Sequence, residues 1–397
     1  MYAASQINSR IESSHGCAMG GIIAFSICIK DALAIAHGPT GCAGGYRMIF
    51  LLADTCPILP TTAIYQYEVA MGTKDKLQAA LYKAKRVYDP SIIFVTLTCA
   101  TSMIAEDYQD MLEQFESDTG TKVILEDGSA LFGEDNDGYR KTYDDFVSWL
   151  NLEHDPDGHS IALDGMAPSV YNVKKNWEEM RFLVEDLCHL TLAPSLSVAF
   201  DLNKDKKAYA KAAVVSIGLL NRRDDTFALI GYQAISAFME KICAKVNKDV
   251  PMEAYEALAA LKKELEADIL ALREKLEGRY VMIEADEFYA VPLAETMKEL
   301  FGCQIAVSSD AFGVESLEKS GLCAWCEADV GGYELNEFAK ELDCAVCFGS
   351  SNIYDHTGKS LYIPFSAPLW DEVSDNASLF GLNGMRYLVR KLKERFL

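Results

Sequence analysis

The stretch Ser91-Ile92-Ile93-Phe94-Val95-Thr96-Leu97-Thr98-Cys99-Ala100-Thr101-Ser102 decides the fold. Its apolar, β-branched run does not alternate with polar residues, so it reads as a short strand buried on both faces. It ends in Thr-Cys, after which helix-forming residues resume. The segment before it, 74–88, is amphipathic with a helical period. Working outward, the same alternation recurs. Strand-like runs are 122–125, 160–163, 213–217, 280–283, 304–307 and 344–348, and 32–36 has the same character. Helical stretches are predicted at 104–115, 172–188, 227–246, 292–301 and 334–342. Strand–helix–strand alternation predicts an α/β protein with parallel sheets and right-handed crossovers. Ligands are then expected at the carboxyl ends of the strands.

The chain has 397 residues, enough for two or three packed units. Two segments look like boundaries. Residues 151–159 (NLEHDPDGH) are polar with Pro and Gly, just ahead of a strand. Residues 251–278 open with Pro, close with Gly, and are rich in Ala, Leu, Glu and Lys between. They read as one long bridging helix; a coiled-coil stalk is the rival, but about four heptads running straight into a strand are a poor stalk. Units of 1–155, 156–278 and 279–397 are therefore expected, the first carrying the cysteines discussed next.

With 37 basic and 59 acidic residues the net charge is −22, which disfavours nucleic acid and anionic membranes as partners. No apolar run approaches the ~20 residues of a membrane span. Met1-Tyr2-Ala3-Ala4-Ser5-Gln6 lacks the basic-then-apolar pattern of a signal peptide, so a cytoplasmic protein is expected. Its twelve cysteines are then reduced thiols, serving as core residues or metal ligands.

Three of them sit where chemistry is expected. Cys99 ends a strand and opens a helix, whose dipole favours a thiolate. Cys42 lies in His37-Gly38-Pro39-Thr40-Gly41-Cys42-Ala43-Gly44-Gly45, where Gly and Pro density predicts a tight, backbone-exposed loop. Cys17 lies in Ser13-Ser14-His15-Gly16-Cys17-Ala18-Met19-Gly20-Gly21, another Gly-rich turn opening a helix. Soft thiolates on such loops suit an iron–sulfur cluster. A free cysteine taken singly is more often inert packing. Three in equivalent places favour metal, with a fourth ligand to come from nearby or from a partner.

These segments also carry a resemblance. Ser14-His15-Gly16-Cys17-Ala18-Met19-Gly20-Gly21, then Ala32-Leu33-Ala34-Ile35-Ala36-His37-Gly38-Pro39-Thr40-Gly41-Cys42, resemble the cluster-binding region of the nitrogenase component 1 superfamily. Pro60-Thr61-Thr62 through Met71-Gly72, Pro90 to Cys99, and the acidic pair Glu106-Asp107 extend it, as do Ile363-Pro364-Phe365 and Phe380-Gly381-Leu382-Asn383-Gly384-Met385. That superfamily includes nitrogenase subunits, their cofactor-assembly scaffolds and light-independent protochlorophyllide reductases.

The resemblance implies three Rossmann-like α/β domains around a central cleft. It implies that Cys17, Cys42 and Cys99 ligate a 4Fe–4S cluster, or half of a larger one, at a subunit interface. It implies a redox subunit paired with a homologous component 1 subunit or with itself, as a dimer or heterotetramer. Electrons would come from an ATP-dependent reductase of the iron-protein type. The Gly38–Cys42 loop lacks the Lys-Ser/Thr of a phosphate-binding loop, which leaves ATP to that reductase. Nitrogenase holds its active-site metallocofactor with a Cys in the middle domain and a His in the last. Here Ala212-Ala213-Val214-Val215-Ser216-Ile217-Gly218 has no Cys and Phe365-Ser366-Ala367-Pro368-Leu369-Trp370-Asp371 no His, so dinitrogen reduction is not expected. A scaffold that holds a metallocluster precursor without turnover is the alternative.

Other signals have bland readings. Cys323-Ala324-Trp325-Cys326 and Cys344-Ala345-Val346-Cys347 have the spacing of a four-thiolate zinc site, but the second pair falls in a strand-like run, so buried core thiols are the favoured reading. Cys323 and Cys326 could instead line the cleft. Cys56 is a candidate fourth cluster ligand. Cys28, Cys188, Cys243 and Cys303 are expected in the core. Asp201-Leu202-Asn203-Lys204-Asp205 and Glu134-Asp135-Asn136-Asp137-Gly138 begin like calcium loops but lack the full pattern. His15 and His37 stand beside cysteine loops, as hydrogen-bonding supports or plain loop residues. Arg222-Arg223-Asp224-Asp225 could clamp an anion, though a surface charge cluster is the simpler reading.

Overall fold

A computed structural model describes residues 16–52, 57–166, 172–220, 228–309, 311–328, 330–353, 359–364 and 378–397. His15, Cys56, Arg222 to Asp225 and the Phe365–Asp371 segment lie outside these described residues. The fold is α/β, built on three parallel sheets.

The first sheet has the order β1-β2-β3, with β1 Ala32–His37, β2 Ile92–Leu97 and β3 Lys122–Asp127. Its helices are α1 Ala18–Ile27, α2 Thr40–Leu52, α3 Gln66–Met71, α4 Lys74–Tyr88, α5 Cys99–Ile104, α6 Gln109–Thr119 and α7 Asp135–Leu150. The two-residue period of the strands sorts their side chains onto two cores. Leu33, Ile35, Ile93, Val95 and Val123 meet Leu77 and Leu81 of α4 and Phe115 of α6. Ala34, Ala36, Ile92, Phe94 and Ile124 meet Ile22 and Phe25 of α1 and Tyr139 and Phe146 of α7. Helix α1 is buried from Ala18 to Ser26, on all sides. It approaches α7 at backbone distance: a Cβ on Gly21 would lie 1.8 Å from the Asp135 carbonyl oxygen, and one on Gly138 1.9 Å from that of Ala18.

The middle sheet, β5-β4-β6, comprises β4 Ser160–Asp164, β5 Thr191–Leu192 and β6 Ala213–Ser216. Helix α8 Val173–Arg181 runs on as a π-helical turn, Phe182–Leu187, and α9 Lys206–Ala210, α10 Tyr232–Lys245 and α11 Met252–Leu276 follow. Successive residues of β4 face different neighbours. Ala162 joins the core under the first sheet, whereas Ile161 and Leu163 join the core of the third. Asp164, at the end of β4, is fully buried. It accepts hydrogen bonds from Tyr143 of α7 (3.0 Å), Tyr209 of α9 (2.6 Å), and the Ser195 hydroxyl and Leu196 amide (2.8 and 2.9 Å). Burial pushes its carboxyl up while these donors pull it down.

The third sheet has the doubly wound order β11-β10-β7-β8-β9. Its strands are β7 Tyr280–Glu284, β8 Gln304–Ser309, β9 Trp325–Ala328, β10 Val346–Gly349 and β11 Leu361–Pro364, with helices α12 Glu287–Phe301, α13 Ala311–Ser320, α14 Gly332–Glu341 and α15 Gly381–Phe396. Helix α11 is a single long helix, as expected. Its Leu258, Leu261, Leu265, Leu272 and Leu276 are buried in a core shared by the middle and third sheets, which excludes a free stalk.

Three expectations need correction. The helix predicted over 104–115 is two helices, α5 and α6, broken where Ala105 takes a left-handed conformation (φ 51°). The tight loop predicted around Cys42 is the first turn of α2, which starts directly after Pro39. Pro is compatible with a helix start, and Gly41, Gly44 and Gly45, which suggested a loop, lie inside the helix instead. The strand predicted from Cys344 begins at Val346.

Candidate cluster-binding site

The three cysteines come from three chain crossings at the carboxyl end of the first sheet. Cys17 is the N-cap of α1, Cys42 lies in the first turn of α2 after β1, and Cys99 is the first residue of α5 after β2. Cys42 and Cys99 are exposed and Cys17 is half-buried. The loop after β3 threads between them. It passes Gly128 O and Gly133 O to the amides of Met19 and Ala18 (2.9 and 3.0 Å), and presents the Ala130 amide to Cys99 Sγ at 3.5 Å. Two glycines allow this convergence. A Cβ on Gly38 would lie 2.1 Å from Thr98 Oγ1, and one on Gly128 2.0 Å from Thr96 Oγ1.

The thiols bear on one another. Burial, then the neighbouring Cys17 and Cys99, pushes the Cys42 thiol up. Proximity of three groups that must all become anionic is what a cationic metal centre would relieve. Among the described residues, no three His, Cys, Asp or Glu side chains are set to hold a single metal ion. A cluster asks for a different arrangement, because each thiolate takes its own iron. Beside Cys42 there is room, since a Cβ on Gly41, Gly44 or Gly45 would meet nothing within 4 Å. Three thiols as donors and the open flank beside Cys42 fit an iron–sulfur cluster.

Beneath the site lies a polar network that sequence reasoning did not find. His37, wholly buried at the end of β1, has Nδ1 3.0 Å from Thr62 Oγ1 and Nε2 3.0 Å from Thr73 Oγ1. Thr73 donates to Glu106 through its hydroxyl (2.7 Å) and its amide (2.6 Å). Since the Thr73 proton is committed to the carboxylate, Thr73 Oγ1 accepts from His37 Nε2–H, and Nδ1 accepts from Thr62. Tyr108 closes the network, its hydroxyl 2.7 Å from Thr73 Oγ1 and 3.1 Å from His37 Nε2. Burial, partly countered by Glu106, lowers the His37 pKa to about 4, so the ring is neutral at pH 7. Burial raises the Glu106 pKa, but the Thr73 and Lys74 hydrogen bonds and His37 outweigh it and hold the carboxylate below its ordinary range. The network anchors the Cys42 and Cys99 loops together: Gly38 N donates to Thr62 Oγ1 (3.0 Å), and His37 O accepts from Thr101 Oγ1 (2.6 Å) and Thr98 N (3.2 Å). His37 is thus a support of the loop, one of the two readings its place in the sequence allowed. Glu106 was visible as one of an acidic pair; Thr73 and Tyr108 carried no signal.

The other cysteines resolve against zinc. Cys323 and Cys326 flank the start of β9, an edge strand, while Cys344 and Cys347 are on or just before β10. Strands β7 and β8 intervene, a separation of about 14 Å across the sheet. Both pairs precede or start their strands, away from the carboxyl ends. Cys28, Cys188, Cys243 and Cys303 are buried, as expected. Glu134 is the N-cap of α7, and Asp201 lies in a turn that pairs with Lys30 at 3.1 Å; neither forms a calcium loop.

Comparison with known proteins places the chain in context. The family described as nitrogenase component 1 type oxidoreductase matches residues 17–186 and 224–397. The chain is 26% identical over 301 residues to the nitrogenase iron-molybdenum cofactor biosynthesis protein NifE of Klebsiella pneumoniae, covering 68% of this chain and 64% of that one. It is 28% identical over 124 residues to the nitrogenase molybdenum-iron protein alpha chain of Methanosarcina barkeri, covering 29% and 23%. It is 31% identical over 100 residues to component CfbD of the Ni-sirohydrochlorin a,c-diamide reductive cyclase complex of Methanothermobacter thermautotrophicus, covering 25% and 27%. The chain thus spans under two thirds of the length of these curated relatives. A solved structure titled nitrogenase Cp1 at pH 6.5 superposes with a TM-score of 0.80 over 97% of this chain and 93% of that one, at 16% identity, which is a likeness of fold.

Proposed function

Because the chain belongs to the nitrogenase component 1 type oxidoreductase family, we propose that it is a redox subunit of a nitrogenase-like oxidoreductase. It takes electrons from an ATP-dependent reductase of the iron-protein type and passes them through an iron–sulfur cluster to a substrate in the cleft between its sheets. Cys17, Cys42 and Cys99 hold the cluster. The observation that carries this reading is the convergence of those thiols, from three separate helix starts, at one end of the first sheet.

When bound, such a cluster stores and transfers single electrons. The chain's own residues fix its surroundings. The His37–Thr73–Glu106 network holds two ligand loops rigid. The Ala130 amide faces the Cys99 sulfur. Near the thiols Met48 on α2, Met103 on α5 and Leu131 beside Ala130 are exposed. An apolar rim of this kind is what a second subunit would cover, excluding water from the cluster. That supports pairing with a homologous component 1 subunit or a second copy, and a fourth ligand from across the interface. No helix among the described residues is long and apolar enough to cross a membrane; the cytoplasmic setting is part of the proposal.

A second reading is favoured by one observation: several relatives, including the Klebsiella protein, are cofactor biosynthesis proteins. In that reading the chain is a scaffold subunit that receives and releases a metallocluster as its cargo. The absence of Cys from β6 removes a resident anchor without removing the cleft.

The test is iron and acid-labile sulfide per chain, with an electron-resonance spectrum, on protein made without oxygen, beside Cys99→Ala. About two irons per chain indicate a four-iron cluster shared across a dimer, and about four a cluster per chain. Loss of iron in the variant supports the ligand assignment. A folded, iron-free wild type that cannot be reconstituted overturns the redox reading for the lone chain. Turnover with an iron-protein-type donor separates the redox subunit from the scaffold.

A further inference from the structure

Four residues after Cys42, one helical turn along α2, stands Tyr46. Its hydroxyl is 3.1 Å from Cys17 Sγ and 3.0 Å from the Cys17 carbonyl oxygen. The ring is fitted into a slot made by two glycines. A Cβ on Gly20 would lie 2.6 Å from Tyr46 Cε1, and one on Gly16 2.9 Å from its hydroxyl oxygen. The helix that carries one thiol therefore sends a phenol to the thiol of another.

We propose that Tyr46 donates a hydrogen bond to the Cys17 sulfur when that sulfur is metal-bound, and so raises the reduction potential of the cluster. This rests on the ligand reading of Cys17 given above. A phenol has one proton and two lone-pair sites. With Cys17 a thiol, S–H donates to the phenol oxygen while the phenol donates to the Cys17 carbonyl; both distances are satisfied at once. Once Cys17 has released its proton to solvent and bound iron, its sulfur only accepts. The phenol proton then turns from the neutral carbonyl to the sulfur, where an anionic acceptor makes the bond stronger. A donor at a cluster sulfur disperses negative charge and favours the reduced state. The Ala130 amide plays a weaker part at Cys99, from 3.5 Å. Tyr46 is a positioning and tuning residue; it does not touch the substrate.

The test compares wild type with Tyr46→Phe, both reconstituted anaerobically with ferrous iron and sulfide. Phe keeps the ring in the Gly16–Gly20 slot and removes only the hydroxyl. The expected result is equal iron content, a midpoint potential shifted to more negative values in the variant, and an iron–thiolate Raman stretch at higher frequency. In wild type, transfer into deuterium oxide shifts that stretch, and in Tyr46→Phe the isotope shift is smaller. The isotope shift is a readout that packing alone would not move, and in wild type it needs no variant. Equal potentials and equal isotope shifts in two cluster-loaded proteins overturn the role of Tyr46 and leave the cluster reading standing. A wild type that takes up no cluster overturns both.

Discussion

His37 carries a consequence that reaches beyond its loop. Its pKa is lowered from 6.5 in the unfolded chain to about 4 by burial. Between those values the unfolded state binds a proton that the folded state refuses, so stability is full above pH 6.5 and is lost as pH falls toward 4. The full window is worth about 3 kcal/mol. Thermal melts across this range should show that slope, and His37→Gln should flatten it; an unchanged slope would mean the ring is not the titrating group. At this scale the sequence was readable only in part. Cys17, Cys42 and Cys99 stood out as candidates because glycines and strand ends lie in the local sequence. The partners of His37 are 25 to 71 residues away along the chain, and Tyr46 meets a thiol 29 residues before it. No local pattern encodes such contacts.

At the scale of elements, α1 and α7 come within backbone distance at Gly21 and Gly138. Replacing Gly138 by Ala places a methyl against the Ala18 carbonyl, 1.9 Å away before any shift. The expected loss is about 3 kcal/mol or more, read from denaturant midpoints. Gly44→Ala is the contrast: its Cβ meets nothing within 4 Å and its site is helical, so a gain of about 0.5–1 kcal/mol is expected. Equal effects of the two would refute the close contact. Long buried strands and strongly amphipathic helices, such as β2 and α4, were legible from their periods. Strands β5, of two residues, and β9, a half-buried edge, carry too little pattern. The reading of Cys42 as a loop residue failed because glycine content was weighed over the helix start that Pro39 permits. Zinc was already disfavoured by the strand-like run around Cys344 and Cys347, and the strand order that separates β9 from β10 adds a reason that spacing along the chain does not carry.

At the scale of the molecule, the sheets do not keep separate interiors. Residues of β4 feed two cores, α11 seals the one between the middle and third sheets, and Asp164 binds tyrosines from α7 and α9. A fragment of residues 156–278 would lack the third-sheet residues, such as Val281, Leu293 and Met385, that share the core with the buried leucines of α11. It should therefore show no cooperative melt and little amide protection, whereas the full chain shows both; a folded fragment would contradict the shared core. Three sheets in sequence were foreseeable from strand–helix alternation. Their common interior was not, because periodicity tells which face of an element is apolar and not whose apolar face it meets.

The seating of α1 on α7 also fixes an order of events in synthesis. Cys17 is synthesised before the segment that seats it, since its helix is held by the carbonyls of Gly128 and Gly133 and by the backbone of α7. Until residue 150 has emerged, the first thiol has no fixed place beside the other two, and a nascent chain offers three scattered sulfurs instead of one face. On the proposed ligand reading, loading with metal would be a late act, open only to a chain that has already closed its first sheet.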